Sequence, residues 1–182
     1  NLIRYLALFF LVALVMYMVV AIVGAAETIM QGTKESGRVH HREDGQFGVF
    51  VPLTEKETAQ ITEKGVTLQM DFSLDFHLGQ STFRVYQARE SVDLFVPAEG
   101  EEIPAQGEIL LEQHYAEKHE LQLGDIFIVG GKEFTVAGIG STPDYDAAFE
   151  KTSDTTVDSN LFGFGFVTAE AVSYTHLTLP TT

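Results

Sequence analysis

Cysteine is absent from all 182 residues. That excludes thiolate metal sites, thiol nucleophiles and disulfide staples, and it fits an exported domain that folds without oxidation. Basic residues are scarce. Eleven Lys and Arg stand against 26 Asp and Glu, a formal net charge of −15. Such a chain repels phosphate-rich partners, so no nucleic acid partner is expected, and it has no basis for lying flat on an anionic leaflet. Catalytic signatures are missing too: there is no G-x-x-x-x-G-K-[ST], no G-x-S-x-G and no H-E-x-x-H. Gly138-Ile139-Gly140 lacks the third glycine of a dinucleotide fingerprint and follows no βα context. The expectation is a non-enzyme with no catalytic residue, no cofactor-binding residue and no metal site.

What the chain does have is an uncharged apolar run, Tyr5 to Ala26, between Arg4 and Glu27. As a helix it would reach roughly 33 Å, enough for a hydrocarbon core of about 30 Å. Its apolar residues fall on every side of the helical wheel, unlike an amphipathic surface helix. A cleaved signal peptide is the main competitor, because Gly24-Ala25-Ala26 ends the run in small residues, but the run is longer than a signal core of roughly 7–15 residues. A retained span is expected. Lys34, Arg38 and Arg42 on one side outnumber Arg4 on the other, so a literal charge count would place the following domain inside; long domains, however, translocate largely regardless of charge.

Residues 1–37 are read as this span plus a juxtamembrane stalk, Glu27 to Gly37, and residues 38–171 as one domain of mixed α and β structure, about 145 residues after the run being ample for one core. Val172 to Thr181, VSYTHLTLPT, resembles the translation of a transposase adapter used in sequencing libraries, so residues 172–182, His176 included, are set aside from the fold. Within the domain, period-2 alternation predicts strands over Gln46–Val51, Val66 to Leu78 and around Phe83–Val85, with a hairpin turn at Gly79-Gln80-Ser81. Thr54 with Glu57 forms a T-x-x-E capping box, and Gly65 ends that helix. Val92–Val96 is a short apolar piece, and Pro97–Gly107 a loop. Gly107–Leu111 reads as a strand, Glu112–Leu121 as an amphipathic helix with Tyr115, Ala116 and His119 inward, and Leu123-Gly124-Asp125 as a turn. Ile126–Val129 and Phe134–Gly138 are strands joined at Gly130-Gly131, a pair suited to a primed turn. A polar stretch, Ser141–Asn160, precedes a last strand, Leu161–Val167, and Thr168 to Ala171 looks like the start of a helix.

Three groups of residues could bind ions, and each has a plainer reading. His40-His41 with Glu43 and Asp44 are adjacent residues that point apart on a strand, which suits a solvated linker better than a shared metal. His114 and His119 are five apart, not the four of a common helical face; His119 is expected partly buried and His114 exposed. Asp144, Asp146, Asp154 and Asp158 lie in a Ser/Thr-rich stretch, but their spacing is not that of an EF-hand.

The segment GEILLEQHYAEKHELQLGDIFIVGGKEFTVAGI resembles part of the extracytoplasmic core domain of FtsX-like, MacB-type ABC transporter permeases. The shared features are Gly107-Glu108-Ile109, Ala116, Leu121-Gln122-Leu123-Gly124-Asp125 and Phe134-Thr135-Val136-Ala137-Gly138. The resemblance implies an α+β fold: one N-terminal transmembrane helix, then a mixed periplasmic-type core domain outside the cell membrane after about residue 27. It implies three further helices that this sequence lacks, a second permease copy, a cytoplasmic ABC ATPase subunit as partner, and a role in transport or mechanotransmission. A sensor domain of a membrane-bound signalling receptor fits the same layout.

Overall fold

The computed structural model describes residues 2–145, 148 and 157–176, the last four by backbone alone. Two compact units divide the chain after Val39. The first is α1, Leu2–Val39, a single helix of 38 residues in which none is buried. Its apolar portion is long and apolar enough to cross a membrane. The helix runs two residues past the expected stop at Gly37 and gives way to a turn in which His41 takes a φ of 55°.

The second unit is a mixed α+β domain. Its elements are α2 (Glu55–Thr62), β1 (Ser73–Leu78), β2 (Ser81–Gln87), β3 (Val96–Gly100), β4 (Glu108–Glu112), α3 (Gln113–Lys118), β5 (Ile126–Val129), β6 (Lys132–Ser141), β7 (Phe162–Val167) and α4 (Ala169–His176). One sheet runs in the order β1-β2-β7-β4-β6-β3, with β5 also on β6. β2 is parallel to β7 and β4 to β6; the other pairs are antiparallel. Parallel neighbours need a long crossover, and between β4 and β6 it is α3 with β5.

Alternation along the strands sorts side chains to two faces. Phe83, Val85, Ile109, Leu111 and Val136 join Tyr115 and Ala116 of α3 and Val172 of α4 in one core. Tyr86, Leu110, Phe162, Phe164 and Phe166 form the other, with Phe95, Ala148 and Tyr145. The central strand β7 is therefore buried at every position. Its two glycines are packing requirements: a Cβ on Gly163 would overlap the Tyr115 ring, and one on Gly165 would press on Phe83 and the Leu110 carbonyl. Each fully buried large apolar side chain contributes about 1.5–3 kcal/mol, so these two clusters hold the sheet together.

Local signals are realised closely. Thr54 accepts from the Glu57 amide at 3.3 Å, and the Glu57 carboxylate accepts from the Thr54 amide at 2.9 Å. Gly130 and Gly131 both have positive φ, 60° and 73°, as a primed hairpin turn demands. Gly124 has φ 87° in the expected turn.

Five expectations are corrected. Gln46–Val51 forms no strand, and β1 begins only at Ser73, not Val66. The reason is pairing: the tight hairpin fixes Ser73 opposite Tyr86, β2 stops at Gln87, and residues before Phe72 have no ladder to join. β3 takes in Val96 to Gly100, so the loop expected from Pro97 starts later; Pro97 is tolerated on this edge strand. α3 is six residues, not ten, because Glu112 is its cap and Glu120 adopts φ 55° just beyond it. His119 consequently lies exposed past the helix, although its ring centre is 4.1 Å from that of Tyr115, tilted by 32°. His114 is exposed, as expected.

Candidate functional site

The domain's most unusual side chain is Arg89, just after β2. An Arg is rarely buried unless paired, yet only 4% of this side chain is exposed. Its Nη1 donates to Asp144 Oδ2 at 2.8 Å, and its Nη2 and Nε donate to Asp71 Oδ1 at 3.1 and 3.3 Å. Nη1 also reaches the Asp93 carbonyl at 3.5 Å. The guanidinium lies 5.4 Å from the ring centres of both Tyr86 and Phe166, within cation–π range. Burial works against this charge, and the carboxylates of Asp144 and Asp71 outweigh it, holding the guanidinium above its ordinary value.

Through Asp93 the same node reaches the chain that follows α1. Asp93 Oδ1 accepts from the Glu43 amide at 2.9 Å. The Asp93 amide donates to the His41 carbonyl and the Leu94 amide to the His40 carbonyl, both at 3.0 Å. His41 Nδ1 lies 2.9 Å from the Ser91 carbonyl. Asp93 is 4% exposed with φ 49°, a left-handed conformation that Asp tolerates better than most residues. Burial first, then repulsion from Asp144, raises its pKa against the opposing Glu43 amide. Glu43 is raised by burial and by Asp93 and Asp144. One cation thus gathers the approach to β1, the β2–β3 loop, the turn after β6 and the first residues of the domain.

A guanidinium stays protonated at any working pH, so it donates hydrogen bonds and charge but cannot shuttle protons. Beside it is a cavity of about 10 Å³, lined by Arg89, Asp93, Phe95, Glu102 and Leu110. That is room for about one water.

The residues singled out from sequence are not brought together as a metal centre; among the described residues no three His, Asp or Glu groups could share an ion. His41 and Glu43 serve the junction by hydrogen bonds. His114 faces Glu117 at 3.6 Å. Asp144 pairs with Arg89, while its Oδ1 and Thr142 Oγ1 are buried without a hydrogen-bond partner among the described residues. Asp158 accepts from the Asn160 amide and side chain in a local turn. Asp146 and Asp154 lie outside the described residues. Sequence reasoning missed Arg89, Asp71 and Asp93 altogether. The partners of Arg89 stand 18 and 55 residues away, and the only sequence hint is a solitary Arg next to an apolar strand in a base-poor chain. No protein-family model, no curated protein and no solved structure matches this chain.

Proposed function

We propose that the chain is part of the permease subunit of an ABC transporter of export or mechanotransmission type, supplying its first membrane span and outer domain. The observation that carries this reading is order. A single helix long and apolar enough to span a membrane precedes a mixed α+β domain. In that domain Gly107 to Ile139 runs as strand, helix, Gly-Asp turn and hairpin, with the motif residues of the MacB-type resemblance at the turns and on the strands. On this reading residues after about 27 are extracytoplasmic. The subunit pairs with a second permease copy and binds a cytoplasmic ABC ATPase. It catalyses nothing itself, and Glu27 to Gly37 is the stalk through which motion passes outward.

The intact gene tests the proposal directly. Three further apolar runs downstream and an ATPase that copurifies with the full-length product are the expected result. One more span followed by a cytoplasmic output module would instead identify a receptor's sensor domain and sink the transporter reading.

A further inference from the structure

We propose that Asp44–Gly45 is a self-modification site, at which the main chain migrates onto the aspartate side chain and leaves a β-linked residue at the entrance to the domain. It is the only Asp-Gly pair in the chain, which has no Asn-Gly. Both residues are exposed, and Asp44 lies at a bend. The backbone just before them is anchored, because the Glu43 amide donates to Asp93 Oδ1 at 2.9 Å. The next anchor is Thr54, whose amide donates to the Glu57 carboxylate. Among the described residues, nothing from Asp44 to Leu53 makes a hydrogen bond. A Cβ built on Gly45 would meet no atom within 4 Å. The Gly45 amide is therefore held by no partner, and its own residue carries no side chain to shield it.

The step balances with water as the sole co-reactant. The Gly45 nitrogen attacks Cγ of Asp44 in its carboxylic acid form. An N–Cγ bond forms, the Cγ–OH bond breaks, and the hydroxyl leaves as water with the amide proton. The cyclic imide then adds water at one of its two carbonyls. Opening at Cγ restores aspartate. Opening at the main-chain carbonyl leaves the chain running through the side chain, with a free α-carboxylate, one extra methylene in the backbone and an unchanged mass. An S-adenosylmethionine-dependent methyltransferase specific for β-linked aspartate is the class of enzyme that takes this product. It moves a methyl group to the α-carboxylate and releases S-adenosylhomocysteine.

Asp158–Ser159, another Asp followed by a small residue, shows what the fold adds. Ser159 is buried, and Asp158 Oδ1 accepts from the Asn160 amide at 3.0 Å and from its Nδ2 at 2.8 Å. The Asp158 carbonyl accepts from the Leu161 and Phe162 amides. A carboxylate and peptide so held cannot swing into the imide geometry. The fold closes this pair and leaves Asp44–Gly45 open.

Peptide mapping of the full chain, aged in detergent micelles at mildly acidic pH, tests the proposal. The peptide carrying Asp44 should split into two species of equal mass. The new one should give electron-transfer fragments of a β linkage at Asp44 and accept label from S-adenosylmethionine in the presence of such a methyltransferase. Its rate of formation should lie within about twofold of the rate in the urea-unfolded chain, whereas folding should slow isomerisation at Asp158 by roughly tenfold or more. Asp44→Glu should abolish the product, because the ring to be closed is larger. Gly45→Val should slow it severalfold, since a β-branched side chain crowds the attacking nitrogen. Gly45 does not have a positive φ, so both variants should keep the wild-type denaturation midpoint. Absence of the isomer at Asp44 in the folded chain, protection of Asp44 by folding as strong as that of Asp158, or undiminished formation in Gly45→Val overturns the proposal. No ATPase or transport enters the measurement, so its outcome is independent of the transporter assignment.

Discussion

At Arg89 and Gly163 single side chains decide the outcome, for opposite reasons. Arg89 is buried and multiply bonded, so Arg89→Met leaves Asp71 and Asp144 facing each other without their cation. Breaking a buried pair from one side costs about 3–5 kcal/mol, and urea denaturation of the full chain should show a loss of that size. The Arg38–Glu35 pair, with side chains 74% and 62% exposed, should by contrast be removable without measurable change. Gly163 is the converse case, a place where nothing fits. Gly163→Ala drives a methyl into the Tyr115 ring and should cost about 1–3 kcal/mol, the range for overpacking. Adding Tyr115→Leu should recover part of that loss beyond additivity, because the two residues touch. Neither role could be read from the chain: Arg89 looks like any loop arginine, and Gly163 looks like a flexible glycine until Tyr115 is laid against it.

Among the elements, α2 and the β1–β2 hairpin differ in what supports them. α2 has a complete capping box and no buried residue, so its stability is local. Thr54→Ala should weaken the helix by about 1 kcal/mol, seen as faster amide exchange over residues 55–62, while the global unfolding midpoint stays put. The hairpin is tied across its strands. Asp75 and Arg84 are register partners joined by two hydrogen bonds of 2.6 and 2.9 Å, and Arg84 sits 5.2 Å over the Phe162 ring. The Arg84 hydrogen bonds, outweighing partial burial, hold the Asp75 carboxyl below its usual range. A lowered folded pKa gives stability that is present above the unfolded value near 4 and is lost as pH falls through the folded one. Asp75→Asn should therefore flatten the acid limb of the stability–pH curve, measured by denaturation midpoints between about pH 2 and 5. Elements set by short-range chemistry were legible in advance: the Thr54 box, the Gly130-Gly131 hairpin and the Gly124 turn all lie where their residue types demand. The strands expected at Gln46–Val51 and from Val66 were not, since alternation shows that a segment suits a sheet without providing a partner.

For the whole molecule, the informative quantity is continuity between a 38-residue helix and a domain that begins at His40. On the proposed function, motion reaches the domain through the charged C-terminal third of α1. Inserting Gly-Pro near Met30 breaks the helix, since proline removes a backbone bond and clashes with the preceding turn. In the reconstituted full-length complex, ATP hydrolysis should continue and transport should fall, with the domain's denaturation profile unchanged; unaltered coupling would count against a stalk. The sequence by itself determined the apolar helix, the acidic domain after it, the α+β class, and the turns and caps, because each of these follows from composition or from residues a few positions apart. Only the tertiary structure decided the strand order, the burial of β7 on both faces, the early end of α3 that leaves His119 exposed, and the gathering of Asp71, Asp93 and Asp144 on Arg89. Those features depend on contacts between residues tens of positions apart. Such contacts are settled by which buried surfaces and charges can be satisfied together, and no local pattern encodes that.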